Sequence, residues 1–118
     1  MSFLLPSEVK VYLYLAPCDM RKSINTLSIL VGETLQLNPS SGHLFIFRSR
    51  TKDKMKALYY SQNCFSLLYR RCEQGKFIFP REQEGYIELT QEHFDWLLSS
   101  HQYQFVNTLT PVCYNAFQ

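Results

Sequence analysis

His43-Leu44-Phe45-Ile46-Phe47-Arg48-Ser49-Arg50 is the stretch on which the fold turns. Its side chains alternate, with Leu44, Ile46, Arg48 and Arg50 on one face and Phe45, Phe47 and Ser49 on the other. A period of two in β-branched and aromatic residues is the mark of a strand. Thr51-Lys52-Asp53-Lys54 then reads as a hairpin turn, and Met55 to Ser61 returns as a second strand. Cys64 to Arg71 supplies a third. Gly75 permits another reversal before the short strand Lys76 to Phe79, which Pro80 ends.

Working outward from this block, Asn38-Pro39-Ser40-Ser41-Gly42 is a turn. Upstream, Met20, Ile24, Leu27, Val31 and Leu35 recur at helical spacing, and Asp19 stands where a helix cap is wanted. Val9 to Leu15 alternates as a strand that Pro17 breaks. Downstream, Tyr86 to Leu89 is a last short strand, and Thr90 caps a helix whose Phe94, Leu97 and Leu98 share a face. The order predicts an α+β fold: an N-terminal strand and helix, a mostly antiparallel sheet of about five to six strands, and a C-terminal helix. It is expected to form a single domain over residues 1–118, with residues 101–118 left unassigned.

Composition supports a globular core. Of 118 residues, 46% are hydrophobic and 15% aromatic, with only four Gly. Eight Tyr and nine Phe in so short a chain favour strands over a helical bundle. No apolar run approaches the roughly 20 residues that a bilayer crossing needs. The start, Met1-Ser2-Phe3-Leu4-Leu5-Pro6, lacks the basic and long apolar regions of a signal peptide, so a cytoplasmic protein without a membrane partner is expected. Cys18, Cys64, Cys72 and Cys113 form no C-x-x-C pair and the histidines are scattered. Reduced, mostly buried thiols and no metal or other cofactor are expected.

Charge is segregated along the chain. From His43 to Arg81 nine basic residues meet only Asp53 and Glu73, a balance of plus seven. From Glu82 to Gln118 there are five acids and no Lys or Arg. The basic block points to nucleic acid, because cations that neutralise phosphates release condensed counterions. The candidate contacts are Arg48, Arg50, Lys52, Lys54, Lys56, Arg70, Arg71 and Lys76, with Tyr60 or Tyr69 available to stack on an unpaired base. A solvated hairpin whose charges merely block edge pairing is the plainer alternative. Exchanging Arg48 and Arg50 for Gln is expected to weaken binding without lowering the melting temperature.

A second candidate surface is Asp19, Arg21 and Lys22, read as contacts to a protein partner. Positive charge at a helix start opposes the macrodipole, which gives Arg21 and Lys22 no evident structural role. Enzymatic chemistry is not expected. No spacing forces three carboxylates together for two metal ions, no nucleophile lies in a recognisable motif, and no Gly-rich phosphate loop is present.

Five blocks carry a family resemblance. Asp19-Met20-Arg21-Lys22 looks like a D-M-R-K element, and Pro39 to Arg48 resembles a P-x-S-G-x-L-F-V-F-R stretch. Lys56-Ala57-Leu58-Tyr59-Tyr60 is similar to K-x-L-x-W. The run from Tyr69-Arg70-Arg71 through Gly75-Lys76-Phe77 to Pro80 resembles R-L-E-x-G-x-F-x-W-P, and Leu89-Thr90 with Leu97-Leu98 echoes closing L-T and L-L positions. In this order, over residues 9–98, they resemble the TnpB-type accessory proteins of the IS sixty-six insertion-sequence family. Ser61-Gln62-Asn63-Cys64 departs from the acidic, Gly-containing turn usual there. Cys72 replaces an aliphatic residue and Phe79 a Trp. The resemblance implies an accessory role in DNA transposition beside a separate transposase, with DNA and that transposase as partners.

Overall fold

The computed structural model describes residues 5–99, 101 and 102. Strand β1 (Val11–Pro17) leads into helix α1 (Ile24–Glu33), which crosses to β2 (Leu44–Arg48). Then follow β3 (Lys54–Ser61), β4 (Cys64–Arg71), β5 (Lys76–Phe77), β6 (Tyr86–Leu89), α2 (Gln91–Ser99) and β7 (His101–Gln102). The main sheet has the order β4-β3-β2-β1-β6. Only β1 and β2 run parallel, as a helical crossover between them requires, and the other pairs are antiparallel. The fold is α+β, as the sequence predicts. Strand β5 does not join the main sheet but pairs with β7 in a second, two-stranded one.

Both faces of the main sheet are covered. Helix α1 lays Leu27 and Val31 on Phe45, Phe47 and Leu58. On the opposite face, α2 and the β5 segment pack Phe94, Leu97, Leu98, Phe77 and Phe79 against Val11, Leu13, Leu44, Ile46 and Met55. Strand β2 lies at the middle of this sandwich, so all five of its side chains are buried, Arg48 included. The tail beyond residue 102, with Cys113, lies outside the described residues.

The local chemistry of the turns explains most boundaries. Asn38 Oδ1 accepts from the Ser40 N–H at 3.0 Å and Gly42 takes φ 89°, which forms the turn before β2. The β3–β4 loop is Gln62-Asn63 alone, with both residues at positive φ (50° and 63°). That is the type I′ hairpin, whose twist matches the strands. The departure from the family's usual turn therefore leaves a tight hairpin. Gln fits its first position less well than Asn, and Asn fits the second less well than Gly. The double change Gln62→Asn, Asn63→Gly is expected to stabilise the protein by about 1 kcal/mol in a thermal melt.

Helix α2 begins as read from the sequence: Thr90 Oγ1 accepts from the His93 N–H at 3.0 Å. Thr90→Ala should cost about 1 kcal/mol by the same measurement. Helix α1 departs from expectation. Its N-cap is Ser23, which makes no side-chain cap bond, and the helix starts at Ile24. Asp19 instead closes a turn of its own, accepting from the Arg21 N–H at 2.9 Å with its carboxylate and from the Lys22 N–H at 3.1 Å with its carbonyl. Met20 lies in that turn rather than on the helix.

Candidate nucleic-acid interface

The eight candidate cations of the basic block divide sharply once folded. Arg48 is corrected from a phosphate contact to a core residue. It is 1% exposed, on the same face of β2 as Leu44 and Ile46. The parallel register of β1 and β2 slips between Leu13 and Pro17, which interrupts the ladder beside Leu15. The Arg48 guanidinium fills that interruption, donating from Nε (3.3 Å) and Nη2 (3.0 Å) to the Leu15 carbonyl. Nη1 donates to the Ser49 carbonyl at 3.2 Å. Glu82 approaches at 3.6 Å, and the Phe79 ring lies 5.8 Å from the guanidinium carbon. Burial pushes the Arg48 pKa down and Glu82 opposes that shift. A guanidinium nevertheless stays charged in proteins.

Four more cations are held by the protein itself. Arg70 donates to the Leu98 carbonyl at 3.1 Å and so ties β4 to the end of α2. Lys56 donates to the Lys22 carbonyl at 2.7 Å, with its ammonium 5.5 Å from the Tyr69 ring centroid. Lys54 pairs with Asp53 at 3.2 Å. The Thr51 hydroxyl and then Lys54 hold that carboxylate below its ordinary range. Arg71 pairs with Glu73 at 3.0 Å, an exposed ion pair of the kind that contributes little. Lys54 and Arg71 also face each other across the β3–β4 register, a like-charge pair that the two carboxylates offset.

Arg50, Lys52 and Lys76 behave differently. All three are exposed, and none of their side chains makes a hydrogen bond or ion pair with a described residue. They line one concavity of about 470 Å³ together with Thr51 and the segment Phe77-Ile78-Phe79. One contact and one turn build it: the Phe77 N–H donates to the Lys52 carbonyl at 2.8 Å, and Lys52 itself turns the hairpin at φ 67°. Phe77, Ile78 and Phe79 are buried, so the wall beneath the cations is rigid while the charged ends stay in water.

The Asp19–Lys22 turn belongs to the same end of the molecule. The Cys18 N–H donates to the Arg48 carbonyl at 2.8 Å, and Lys56 binds the Lys22 carbonyl, so this turn sits beside the end of β2 and beside β3. Arg21 folds back on Asp19, donating from Nη2 at 2.7 Å and from Nε at 3.1 Å to each carboxylate oxygen. These side-chain bonds, followed by the Arg21 backbone N–H, hold the Asp19 carboxyl far below its usual range. The turn they make is complete above the ordinary carboxyl pKa and weakens as pH falls below it.

Among the described residues no three His, Cys, Asp or Glu side chains come together in a way that can hold a metal ion. Cys18 is buried and Cys72 partly buried, and burial raises both thiol pKa values. Of the thiols expected to be mostly buried, Cys64 is exposed beside the β3–β4 turn. No helix among the described residues is long and apolar enough to cross a membrane. What the arrangement offers is a fixed set of cations around a polar hollow, which suits recognition of phosphates.

Comparison with known proteins agrees with the motifs. The family described as "IS66 Orf2 like protein" matches residues 9–108. An uncharacterised protein of Sinorhizobium fredii, y4jC, is 34% identical over 83 residues, covering 70% of this chain and 71% of the relative. A second from the same organism, y4hO, is 33% identical over 98 residues, covering 81% and 85%. No solved structure matches the chain significantly. The blocks from Asp19 to Leu98 all fall inside the matched span, and the chain therefore belongs to the IS66 Orf2-like family of insertion-sequence accessory proteins.

Proposed function

We propose that this protein is a non-catalytic accessory factor of insertion-sequence transposition that contacts DNA through the end of the sheet bearing the β2–β3 hairpin. The observation that carries this reading is the convergence of Arg50, Lys52 and Lys76 on one concavity without partners among the described residues. Such a surface reads phosphates and shape rather than base edges, so sequence choice falls to the transposase encoded with it, the second partner of this reading. Working beside DNA and that transposase, it acts in the cytoplasm.

A second role, contact with the transposase as an adaptor, is favoured at the Asp19–Lys22 turn. Arg21 is exposed there but already neutralised by Asp19, which fits a polar protein contact better than a phosphate. Titration of labelled duplex and single-stranded DNA at low and moderate salt tests the main reading. Binding that weakens steeply with salt is expected. Failure of both DNAs to bind at low salt overturns the reading and leaves the adaptor role, checked by co-purification with the transposase.

A further inference from the structure

Strand β6 ends the main sheet, and its outer edge is open among the described residues. The pairing with β1 fixes which backbone groups face outward. The Leu15 N–H donates to the Gly85 carbonyl at 3.0 Å, and Tyr14 and Tyr12 stand opposite Tyr86 and Glu88. Hydrogen-bonded and non-hydrogen-bonded pairs alternate along an antiparallel ladder. Gly85, Ile87 and Leu89 therefore turn their N–H and C=O groups toward β1. The N–H and C=O groups of Tyr86 and Glu88 turn away from it, and no described residue accepts from or donates to them.

Edges of this kind are normally blunted by Lys, Pro or a bulge. The opposite edge, β4, carries Arg70 and Arg71, whereas β6 carries no Lys, Arg or Pro. Its side chains instead form a surface. Tyr86 is 38% exposed and meets Tyr12 edge-on at 5.5 Å, with Glu88 exposed on the same face. Nearby in sequence, Glu84, Glu92 and Asp95 are exposed and pair with no described cation, and residues 82–118 contain no Lys or Arg.

We propose that β6 receives a short extended segment of a partner protein, bearing Lys or Arg at alternate positions, as an added strand. The outward groups of Tyr86 and Glu88 supply the ladder. Glu88 pairs with a cation opposite it, and the Tyr86 ring carries the stem and charge of a neighbouring one. Charge selects this occupant over two others. DNA is repelled by the acids, and a second β6 would add carboxylates without supplying a cation for Glu88. The inference goes beyond the DNA-binding reading and does not depend on it, since it concerns the β6 edge and none of the residues that line the hairpin concavity.

The test uses the full chain and two fluorescein-labelled octapeptides, alternating Arg-Thr and alternating Glu-Thr, followed by anisotropy. The Arg-Thr peptide is expected to bind and the Glu-Thr peptide not. Glu88→Pro removes an outward N–H and no bond to β1, so it should abolish binding while the melting temperature holds. Glu88→Lys keeps the backbone intact and should weaken binding at least tenfold, which preserves the test should the proline variant misfold. Neither variant should change the salt slope of DNA binding, which the cations at the hairpin concavity set. Equal binding of both peptides, binding of neither, or Arg-Thr binding unaffected by Glu88→Lys overturns the proposal. So does concentration-dependent self-association that Glu88→Pro removes, which would assign the edge to a second copy.

Discussion

Arg48→Ala is expected to destabilise the protein by about 3 kcal/mol, lowering its melting temperature by on the order of 10 °C or more. The side chain is buried and serves two carbonyls, that of Leu15 beside the slipped β1–β2 register and that of Ser49 at the hairpin. Truncation leaves both acceptors short of a donor and opens a cavity between Phe79 and the sheet. Glu82 adds little to the loss, because its carboxylate is half exposed and regains water. Arg48→Met separates the effects: it keeps the apolar stem and should cost about 2 kcal/mol through the carbonyls alone. Thermal unfolding followed by circular dichroism checks both. A melting temperature unchanged in either variant would show that the guanidinium is not the keystone of this register slip.

That outcome reverses the expectation from sequence, and the reason is instructive. Alternation places Arg48 on the face of Leu44 and Ile46, which is the core face, so the pattern itself held the signal. Charge outweighed it because a buried arginine is rare and its acceptor, a carbonyl freed by a register slip in β1, has no signature in sequence. The strands, their hairpins and the capped helix α2 were legible because each rests on local chemistry: alternation, turn residues and Thr90. The start of α1 was not. Met20 shares the helical spacing, yet the carboxylate of Asp19 binds the N–H of Arg21 and closes a turn before the helix begins. Partition of the basic block was equally hidden, since the acceptors of Lys56 and Arg70 are backbone carbonyls 34 and 28 residues away.

Apart from Glu82, which reaches Arg48, the folded molecule keeps apart much of the charge that the sequence shows in blocks. Cations surround the hairpin end, with the Asp19–Lys22 turn beside it, while acids flank β6 and α2. One end suited to phosphates and one edge suited to a basic segment give a small protein two distinct surfaces. On the proposed reading, an insertion-sequence accessory factor would use these two surfaces to bridge a nucleic acid and a protein.

The measurement that bears most directly on this account is the salt dependence of DNA binding by the wild type and by the triple variant Arg50→Gln, Lys52→Gln, Lys76→Gln. Gln keeps much of the side-chain length and removes the charge, and all three positions are exposed, so the melting temperature should stay within a few degrees. Each phosphate contact contributes a slope of about 0.9 in log affinity against log salt. With three to four contacts, wild-type affinity should fall about 100-fold between roughly 50 and 200 mM salt. The triple variant should lose about three units of that slope and bind only weakly at low salt. Arg70→Gln, which removes an internally bonded cation, should leave the slope unchanged. A triple variant that keeps the wild-type affinity and slope would contradict the assignment of this concavity as the nucleic-acid interface.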